Sequence, residues 1–431
     1  MNLIVDLHVH SHYSRATSKR MNLEGMYYWG KLKGINVIGT GDFTHPAWFS
    51  ELKQKLEPAE DGLFKLKNEF AKAEDKNLPA SVRNNPIRFI LTVEISNIYR
   101  RADQVRKLHN VVVVPDFKTA AKINAKLAQV GNLKADGRPI LGLDSYDLLK
   151  ITLDSNPDSL FFPAHIWTPW FAMFGSKSGF ESVTEAFGDL AGEIRAVETG
   201  LSSDPAMNWR VGDLDGRTLV SNSDAHSPEK LGREANVFAC KLSYQEIIKA
   251  IKLGSKDFVG TIEFFPQEGK YHFDGHRACK FSCSPVETKQ LKGLCPKCGK
   301  PLVLGVDYQV ENLATRKLGG KPQKTKQVEY IIPLAELLAQ LRGVKSTKSK
   351  AVEAEYLRII SELGDEFSLL RQVELKQISE LGSSELAEAI RRMRAGQIHI
   401  EPGYDGEYGV IKIFNKNKGR QQSVGQQSLR F

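Results

Sequence analysis

The chain has 431 residues and a formal net charge of +9; 41% of the residues are hydrophobic and 9% are aromatic. This composition excludes a fibrous or largely disordered protein, and no apolar run approaches the ~20 residues that span a bilayer. The length is about three times that of a typical domain of ~150 residues, so we expect two or three structural units. The first residues predict a strand rather than a signal peptide, and the sparse cysteines suit a reducing compartment, so we expect a cytoplasmic protein.

Seven short apolar runs in residues 1–265 predict buried strands. Several are too continuously apolar for a sheet with one face in water, so we expect helices on both faces. The runs are Leu3–Val9, Asn36–Gly41, Phe89–Ile95, Val111–Pro115, Leu160–Ala164, Ile194–Glu198 and Thr218–Ser221. Helices are predicted at Asn22–Lys33, Thr119–Val130 and Tyr244–Leu253, and residues 50–88 are predicted to be a charged, helical insertion. This alternation favours an α/β barrel, although the number of strands also allows an open, doubly wound sheet.

The positive charge is concentrated in the middle of the chain. Residues 266–350 contain 16 basic and 7 acidic side chains, whereas residues 1–265 contain 33 and 32, and residues 351–431 contain 11 and 12. A basic segment of this kind is either a footprint for a polyanion such as nucleic acid or a solvated, lysine-rich surface. Charge alone does not choose between these two interpretations.

Composition divides the chain into four parts. Residues 1–265 carry the strand–helix pattern, and residues 266–330 are basic and rich in Gly, Pro and Lys. Residues 331–414 contain leucines at three- and four-residue spacing, which is typical of helices. Residues 415–431 are polar and predicted to be disordered. We therefore expect an α/β domain, a basic metal-binding module, a helical C-terminal domain and a tail.

Ionisable residues occur where the predicted strands end. Asp6, His8 and His10 alternate along the first strand and therefore share one side of it. The other such residues are Asp42, Glu94, His109, His165, Asp224 and His226. A single buried histidine is usually a hydrogen-bonded core residue, but so many buried polar groups would carry a large desolvation cost unless cations bind them. Since strand ends converge on one rim of a barrel, we expect two or three metal ions bridged by Glu94, as suits phosphate-ester cleavage.

These residues occur in motifs that resemble the PHP (polymerase and histidinol phosphatase) superfamily. The motifs are His8-x-His10-Ser11, Gly39–Asp42, Thr92–Glu94, His109, Pro163–His165 and Ser223–His226. The resemblance covers about the first 240 residues and implies a distorted seven-stranded (βα)7 barrel that holds a trinuclear metal site. It implies metal ligands at His8, His10, His12, Asp42, Glu94, His109, His165, Asp224 and His226. Many members have His after the Asp of strand two, whereas Phe43 follows here, so Asp42 is expected to be the ligand, with His45 as its alternative.

Longer motifs resemble the endonuclease Q family over the whole chain. They are Tyr13-Ser14, Ala164–Trp170, Gly200–Ser202, Ser221–Pro228 and Leu231–Glu234. The resemblance implies a nucleoid-associated DNA repair endonuclease that hydrolyses the phosphodiester 5′ to deaminated bases (uracil, hypoxanthine, xanthine) and abasic sites, with two or three divalent ions (Zn²⁺, Mn²⁺ or Mg²⁺). The catalytic residues it implies are Asp42, Glu94, Asp224 and His226. A small-molecule phosphoesterase of the histidinol-phosphatase type and a catalytically inactive DNA-binding scaffold are the alternative hypotheses.

Four cysteines form a zinc-ribbon-like pattern. They are Cys279, Cys283, Cys295 and Cys298. The second pair has the spacing of a zinc knuckle, and the few apolar residues nearby favour a structural Zn²⁺ over free thiols. The first pair has one residue more than the usual spacing, and His276 lies close enough to compete as a ligand. Cys240 is expected to pack in the barrel wall.

Aromatic and polar residues near the predicted metal centre are candidates for DNA contact. Trp167 and Trp170 follow the fifth predicted strand, where they either stack on DNA around a flipped base or fill the barrel rim. Arg233 either holds a phosphate or pairs with a neighbouring acid. Ser202 and Asn222 are candidates for reading a base edge.

The last six residues resemble peptides that bind the bacterial sliding clamp. Gln426, Leu429 and Phe431 have the spacing Gln-x-x-Leu-x-Phe, in which the glutamine is hydrogen-bonded and the two apolar side chains fill a pocket. Six-residue matches also arise by chance, so a tail without function is the alternative. The sequence therefore predicts damaged DNA and a sliding clamp as partners.

Overall fold

The structure is a computed structural model that describes residues 2–414, and the predicted clamp peptide lies outside this range. The strands are β1 Leu3–Asp6, β2 Val37–Gly39, β3 Leu56–Pro58, β4 Phe64–Leu66, β5 Arg88–Arg101, β6 Gln104–Val114, β7 Ile140–Leu141, β8 Leu160–Pro163, β9 Ala196–Glu198, β10 Thr218–Val220, β11 Ala235–Phe238, β12 Phe258–Glu263, β13 Asp274–His276, β14 Phe281–Cys283, β15 Gln327–Tyr330, β16 His399–Glu401 and β17 Val410–Lys412. The helices are α1 Leu23–Lys33, α2 Pro46–Lys55, α3 Asn68–Asp75, α4 Phe117–Leu127, α5 Ser145–Ser155, α6 Val183–Phe187, α7 Pro205–Asn208, α8 Tyr244–Leu253, α9 Pro285–Gln290, α10 Val306–Leu313, α11 Leu334–Arg342, α12 Lys350–Leu363, α13 Glu366–Arg371, α14 Leu375–Leu381 and α15 Ser384–Arg394. No helix within residues 2–414 combines the length and the apolar character needed to cross a membrane.

Local sequence explains where the predicted helices begin and end. Asn22 caps α1, because its side chain accepts a hydrogen bond from the Gly25 backbone. Gly34 ends α1 in the left-handed conformation (φ 80°), and a Cβ there would lie 2.0 Å from a carboxylate oxygen of Asp365. The helices predicted in residues 22–33 and 244–253 are confirmed, and the one predicted at 119–130 is α4.

All seven predicted strands are present in a mixed α/β fold, but their neighbours are not all parallel. β1, β2 and β5 are parallel, whereas β6 is antiparallel to both β5 and β8. β6 therefore departs from the parallel strand–helix–strand alternation that is typical of an α/β barrel. Only Ala102 and Asp103 separate β5 from β6, and their positive φ angles (48° and 59°) reverse the chain in a tight hairpin, which leaves no room for a crossover helix.

Backbone hydrogen bonds connect the large sheet to the small β9–β10 sheet on two sides. Ile166, after β8, donates to the carbonyl of Glu198 at the end of β9 (3.1 Å). His10, after β1, donates to the carbonyl of Ala225, which follows β10 (3.0 Å). The carboxyl ends of these four strands therefore meet at one edge, which we call the metal edge because the predicted ligands lie there.

The predicted helical insertion at residues 50–88 is only partly helical. It contains the end of α2, the β3–β4 hairpin and α3. Phe64 of β4 pairs with Phe89 of β5, so the hairpin extends the large sheet. Leu56, Phe64 and Leu66 are buried, whereas Lys65 between them is more exposed, which is the alternation of a half-buried strand.

The helical C-terminal region follows directly from the large sheet. β12 runs antiparallel to β11, and β15 runs parallel to β12 at the end of the described sheet, followed by α11–α15. The buried carboxylate of Glu366 connects these helices to α1. It lies 3.2 Å from Lys33 Nζ and accepts hydrogen bonds from the Tyr356 hydroxyl (2.7 Å) and the Leu334 backbone (2.9 Å).

Two buried carboxylates lie on the neighbouring strands β11 and β12. Glu234 comes just before β11, and Glu263 ends β12, which is antiparallel to β11. Glu234 is 1% exposed and Glu263 is fully buried. The Ser221 hydroxyl donates to Glu263, but three of the four carboxylate oxygens have no hydrogen-bond partner within residues 2–414. Burial raises the pKa of Glu263 to about 8, and burial together with the neighbouring Glu263 raises the pKa of Glu234 well above its usual range. The pair therefore holds at least one proton at neutral pH.

Glu263→Gln is expected to change how stability depends on pH. The folded protein keeps a proton that the unfolded chain releases above about pH 4.5, so the wild-type free energy of unfolding falls as pH rises to about 8. The variant has no such proton to lose and gains stability relative to wild type by about 1.4 kcal/mol per pKa unit of the shift. Calorimetric melting at about pH 5 and about pH 9 measures this gain, with the exposed Glu380→Gln as a charge-matched control. An equal pH response of both variants would contradict the raised pKa.

Candidate metal centre

Four predicted ligands meet in a first cluster at the metal edge. It consists of His8, His10, Glu94 and Asp224, whose ligand atoms all lie within 4.8 Å of one another. The Nε2 atoms of His8 and His10 lie 3.5 and 3.2 Å from Glu94 Oε2, and Asp224 Oδ1 lies 3.1 Å from His10 Nε2. Alternation along the chain after β1 turns both histidines to the same side, as predicted.

A second cluster lies on the other oxygen of the same glutamate. Glu94 Oε1 is 2.7 Å from His109 Nδ1 and 3.0 Å from His165 Nε2. Glu94 is 1% exposed and lies inside β5, which continues seven residues beyond it, so the prediction that a strand ends at Glu94 is wrong. His109 lies on β6, the strand next to β5. It pairs there with Ser96, two residues after Glu94. Glu94 therefore belongs to both clusters.

The donor atoms of the first cluster fit a metal ion. His8 Nε2, His10 Nε2 and Asp224 Oδ1 are buried and have no hydrogen-bond partner within residues 2–414. Three convergent, unpartnered donors are costly to bury, and a cation satisfies all of them at once. Imidazole with carboxylate is a donor set used for Zn²⁺ and other divalent transition ions.

The buried charged groups of the two clusters shift the pKa values of one another. Burial alone would lower the pKa values of His8 and His10, but carboxylates around them raise both well above the usual range: Glu198 and Glu94 around His8, Asp224 and Asp42 around His10. Burial alone would raise the pKa of Glu94, but the surrounding cationic groups lower it well below its usual value. Burial lowers the pKa of His109 to about 4, so this imidazole is neutral and free to act as a ligand.

Glu198 contacts the predicted ligand His8 and is not among the predicted site residues. Both of its oxygens lie 3.0 Å from His8 Nδ1, and it accepts hydrogen bonds from the His165 backbone (2.8 Å) and Asn222 Nδ2 (2.9 Å). A carboxylate on the far nitrogen of a histidine fixes its ring and tautomer for metal binding. The pattern used for the other ligands also applies to Glu198, because Glu198 is an ionisable residue at the end of the sixth predicted strand.

Asp42 lies behind His10 and outside both clusters. Its carboxylate is fully buried, lies 3.2 Å from His10 Nδ1 and accepts hydrogen bonds from the Ser11 backbone (2.6 Å), the Ser11 hydroxyl (2.7 Å) and the Ser14 hydroxyl (2.9 Å). With these partners the carboxylate orients His10 and has little capacity left for a cation. The structure thus places Asp42 where it supports a ligand.

Three other predicted or alternative ligands also lie outside the clusters. His12 Nδ1 is 3.3 Å from the Met21 carbonyl, and His45 Nδ1 accepts a hydrogen bond from the Trp48 backbone that caps α2. The His226 ring lies 4.5 Å from that of His10, with Nδ1 2.9 Å from the Asp224 carbonyl. Within residues 2–414 these side chains form no third cluster of metal-binding groups.

Arg138 lies beside the shared glutamate and was not predicted. Its Nη1 donates to Glu94 Oε2 at 3.0 Å, and 29% of the side chain is exposed. Arg138 belongs to the loop between α4 and β7, far in sequence from every metal motif. No local pattern marks such a residue, since only the fold brings it to the site.

A separate cluster of thiols and one imidazole forms at the β13–β14 hairpin. Its members are His276, Cys279, Cys295 and Cys298. Burial opposes ionisation of the Cys295 thiol, but hydrogen bonds from the Lys297 backbone and from His276 lower its pKa to about 7. The predicted ligand Cys283 lies outside the cluster: its buried sulfur is 3.2 Å from the Thr288 hydroxyl. Cys240 is half-buried.

The structure separates the predicted DNA-contact residues into accessible and inaccessible ones. Trp167 is 1% exposed and donates to Asn208 Oδ1, whereas Trp170 is 51% exposed. Asn222 is 1% exposed, with its amide committed to Glu198, and Arg233 Nε donates to the Ser223 carbonyl and so supports the loop that carries Asp224. Neither Trp167 nor Asn222 has free surface in this conformation, and the burial of Trp167 favours the alternative that it fills the barrel rim. Ser202 is half-buried.

One family model and two curated proteins match parts of this chain. The model of the MJ0043 C-terminal domain matches residues 333–397. The chain is 30% identical over 286 residues to uncharacterized protein MJ0043 of Methanocaldococcus jannaschii, covering 63% of this chain and 35% of that protein. It is 29% identical over 259 residues to uncharacterized protein YqxK of Bacillus subtilis, covering 59% of this chain and 61% of that protein. The chain thus spans only part of both curated relatives.

Two solved structures match nearly the whole chain. The crystal structure of the lesion-specific endonuclease PfuEndoQ from Pyrococcus furiosus superposes with a TM-score of 0.82 at 31% identity, covering 96% of this chain and 95% of that one. Endonuclease Q in complex with a 27-mer duplex substrate that carries an abasic lesion at the active site superposes with a TM-score of 0.79 at 31% identity, covering 96% of both chains. With this identity over nearly the full length of both chains, the protein belongs to the endonuclease Q family.

Proposed function

We propose that this protein is a metal-dependent DNA repair endonuclease that hydrolyses the phosphodiester 5′ to an abasic site or a deaminated base (uracil, hypoxanthine or xanthine). The observation that carries the proposal is the pair of metal-binding clusters on Glu94, in a fold shared with an enzyme bound to abasic-site DNA. Damaged DNA is then the partner, and the nucleoid is the place of action.

The clusters support two divalent ions (Zn²⁺, Mn²⁺ or Mg²⁺). His8, His10, Glu94 and Asp224 would hold one ion; Glu94, His109 and His165 would hold the other. Bound there, such ions activate water and stabilise charge on the oxygens of a phosphodiester. Glu198 holds the His8 ring and Asp42 holds the His10 ring, so both imidazoles are oriented before a substrate arrives. A third ion, expected from the PHP resemblance, has no comparable support within residues 2–414.

The fold supports a distorted barrel of the PHP type in residues 1–265. β1, β2, β5, β6 and β8 are consecutive neighbours, and the hydrogen bonds of Ile166 and His10 connect them to β9 and β10. A basic zinc-binding module (266–330), a helical C-terminal domain (331–414) and a tail (415–431) complete the proposed organisation. In the module, His276 with Cys279, Cys295 and Cys298 would hold a structural Zn²⁺.

Cleavage of defined duplexes tests the proposed activity. The substrates are 5′-labelled duplexes with a central abasic site, uracil, hypoxanthine or xanthine, each with Mg²⁺, Mn²⁺ or Zn²⁺, beside the same undamaged sequence. A single product that ends 5′ to the lesion is expected. Equal cutting of undamaged DNA would contradict lesion specificity. Turnover of a phosphomonoester with no cleavage of any duplex would favour the small-molecule phosphoesterase instead.

Trp170 is the aromatic residue best placed to stack on DNA near the lesion. Lys107 Nζ lies 5.0 Å from its ring centroid, and the next residue, Phe171, packs against His109 at 4.8 Å and accepts a hydrogen bond from the His109 backbone (3.0 Å). The loop therefore connects an exposed indole directly to a metal-cluster residue. Ser202 and Arg233 stay weaker candidates beside it.

Trp170→Ala is expected to weaken binding of abasic-site duplex by about 1–3 kcal/mol, the value of one base–aromatic stack. Binding of the undamaged duplex should change much less, because an intact base stack leaves no gap for the indole to enter. Fluorescence anisotropy with both duplexes measures the difference. Trp170→Phe is the matched control and should retain most of the affinity, and equal losses on the two duplexes would contradict a role at the lesion.

The residue pattern of the tail supports the proposal that it binds a sliding clamp. Deleting Leu429–Phe431 is expected to abolish micromolar binding to a bacterial sliding clamp, a free energy on the order of −8 kcal/mol, because the two apolar anchors are lost. Cleavage of short duplexes should be unaffected. Calorimetric titration of the clamp against both forms decides, and equal binding by both, or by neither, would contradict the proposal.

A further inference from the structure

The loop that carries Arg138 is tightly packed against the metal centre. The Gly137 backbone donates to the Tyr13 carbonyl at 3.0 Å. A Cβ on Gly137 would lie 2.3 Å from Asp42 Oδ2 and 2.4 Å from the Ser14 hydroxyl, so only glycine allows the loop to approach this closely. The position of Arg138 is therefore determined by contacts with the residues that orient His10.

Most N–H groups of the Arg138 guanidinium form no hydrogen bond within residues 2–414. Its hydrogen bond to Glu94 Oε2 uses one of five N–H groups, and no other side-chain hydrogen bond of Arg138 is present among residues 2–414. The other donors lie on a side chain that is 29% exposed, at the rim of the two clusters. The guanidinium can therefore keep its place and still bind an anion that enters from solvent.

The charge balance of the site calls for such an anion. In the metal-free protein the carboxylates that act on Arg138 are Glu94, Asp224 and Asp136, and two divalent ions bound by Glu94 and Asp224 would offset much of this negative charge. A largely buried guanidinium without a counter-charge is unfavourable. A phosphodiester supplies one negative charge and two oxygens that match the arginine fork.

We propose that Arg138 is a further catalytic residue, whose guanidinium binds the scissile phosphate and stabilises the charge that develops on it during hydrolysis. The proposal rests on the proposed endonuclease function and adds a residue to it. Asp42, His12 and His226 form no third cluster within the described residues, and Arg138 supplies a permanent positive charge that a third ion would otherwise provide. An arginine needs no ligand shell and keeps its charge at all physiological pH values.

Binding of a neutral phosphate analogue tests the contact directly. Two abasic-site duplexes are compared, one natural and one with a methylphosphonate at the linkage 5′ to the lesion, which removes the charge of that phosphate. Affinities are measured with Ca²⁺-loaded wild type and Arg138→Ala, and cleavage is checked on the same samples. Wild type is expected to bind the methylphosphonate duplex about tenfold more weakly, whereas Arg138→Ala should bind both duplexes within about twofold. Discrimination by the variant as strong as that of wild type, or none by wild type, would overturn the proposal.

Single-turnover cleavage supplies the second readout. Arg138→Ala is expected to cleave about 100-fold more slowly with an unchanged metal content, Arg138→Lys to fall between it and wild type, and added guanidinium ion to restore part of the lost rate. Arg15→Ala is the matched control, since Arg15 is 83% exposed and pairs with Asp136 of the same loop, and it should behave as wild type. A normal rate in Arg138→Ala would overturn the proposal. A wild-type protein that cleaves no lesion duplex would instead refute the endonuclease function, and the binding comparison would still report on the phosphate contact.

Discussion

Glu94→Gln is expected to lower cleavage of an abasic-site duplex by a factor on the order of 10³ or more, because this residue belongs to both metal-binding clusters. Glu94 supplies an oxygen to each cluster, 3.2 Å from His10 Nε2 on one side and 2.7 Å from His109 Nδ1 on the other. An amide has no negative charge to offer two cations and one oxygen instead of two. The variant should therefore lose both ions, whereas Asp224→Asn, which touches one cluster, should lose one.

Metal analysis by mass spectrometry, alongside single-turnover kinetics, measures this difference. DNA binding in EDTA should be nearly unchanged in both variants, because the surfaces outside the clusters are intact. His12→Ala is the control, since the structure places His12 outside both clusters, and its metal content should equal that of wild type. Loss of an ion from His12→Ala, or full metal content in Glu94→Gln, would contradict the assignment.

Cys295→Ser is expected to abolish binding of the proposed structural Zn²⁺ and to unfold the surrounding module locally. Cys295 is 1% exposed and belongs to the His276 cluster. The apolar group around it is small: Cys283, Cys295 and Leu302 are buried, and Cys279, Phe281 and Leu291 pack against them. Structural Zn²⁺ contributes about 10–16 kcal/mol of apparent binding energy in small zinc domains, far more than such a group can replace. Zinc content and the rate of proteolysis within residues 266–310 measure the loss.

Cys283→Ser and His276→Ala distinguish the observed cluster from a four-cysteine site. Because the Cys283 sulfur faces the Thr288 hydroxyl, Cys283→Ser should keep its zinc and lose only some packing. His276→Ala should weaken zinc binding although it removes no thiol. Zinc loss from Cys283→Ser together with full retention in His276→Ala would show that the four cysteines are the ligands.

Local patterns predicted the residues of the metal centre better than their arrangement. Alternation was sufficient to place His8 and His10 on one side of the chain after β1. The clusters themselves arise from pairing between distant segments: β6 brings His109 next to Glu94, and a two-residue hairpin that was not predicted sets this register. Arg138 had no detectable signal, because its only relation to Glu94 is a contact across 44 residues of chain.

The cysteine cluster likewise could not be fully predicted from local sequence patterns. Counting cysteines favoured Cys283, but the register of the β13–β14 hairpin pairs Cys283 with Asp274 and His276 with Phe281. Strand geometry therefore decides which side chain reaches the other thiols, and cysteine spacing alone does not contain that register. The extra residue between Cys279 and Cys283 was the visible sign of the difference.

The pairing of β15 with β12 limits how the chain can be shortened. β15 covers the outer side of β12 over Gly260–Glu263, so a fragment that stops before Gln327 would leave a row of unpaired backbone groups on a central sheet. Exposed edges of this kind recruit strands from other molecules. A catalytic fragment cut at the apparent end of the α/β domain would thus expose the backbone of β12, whereas one that retains residues through Tyr330 would keep β12 paired.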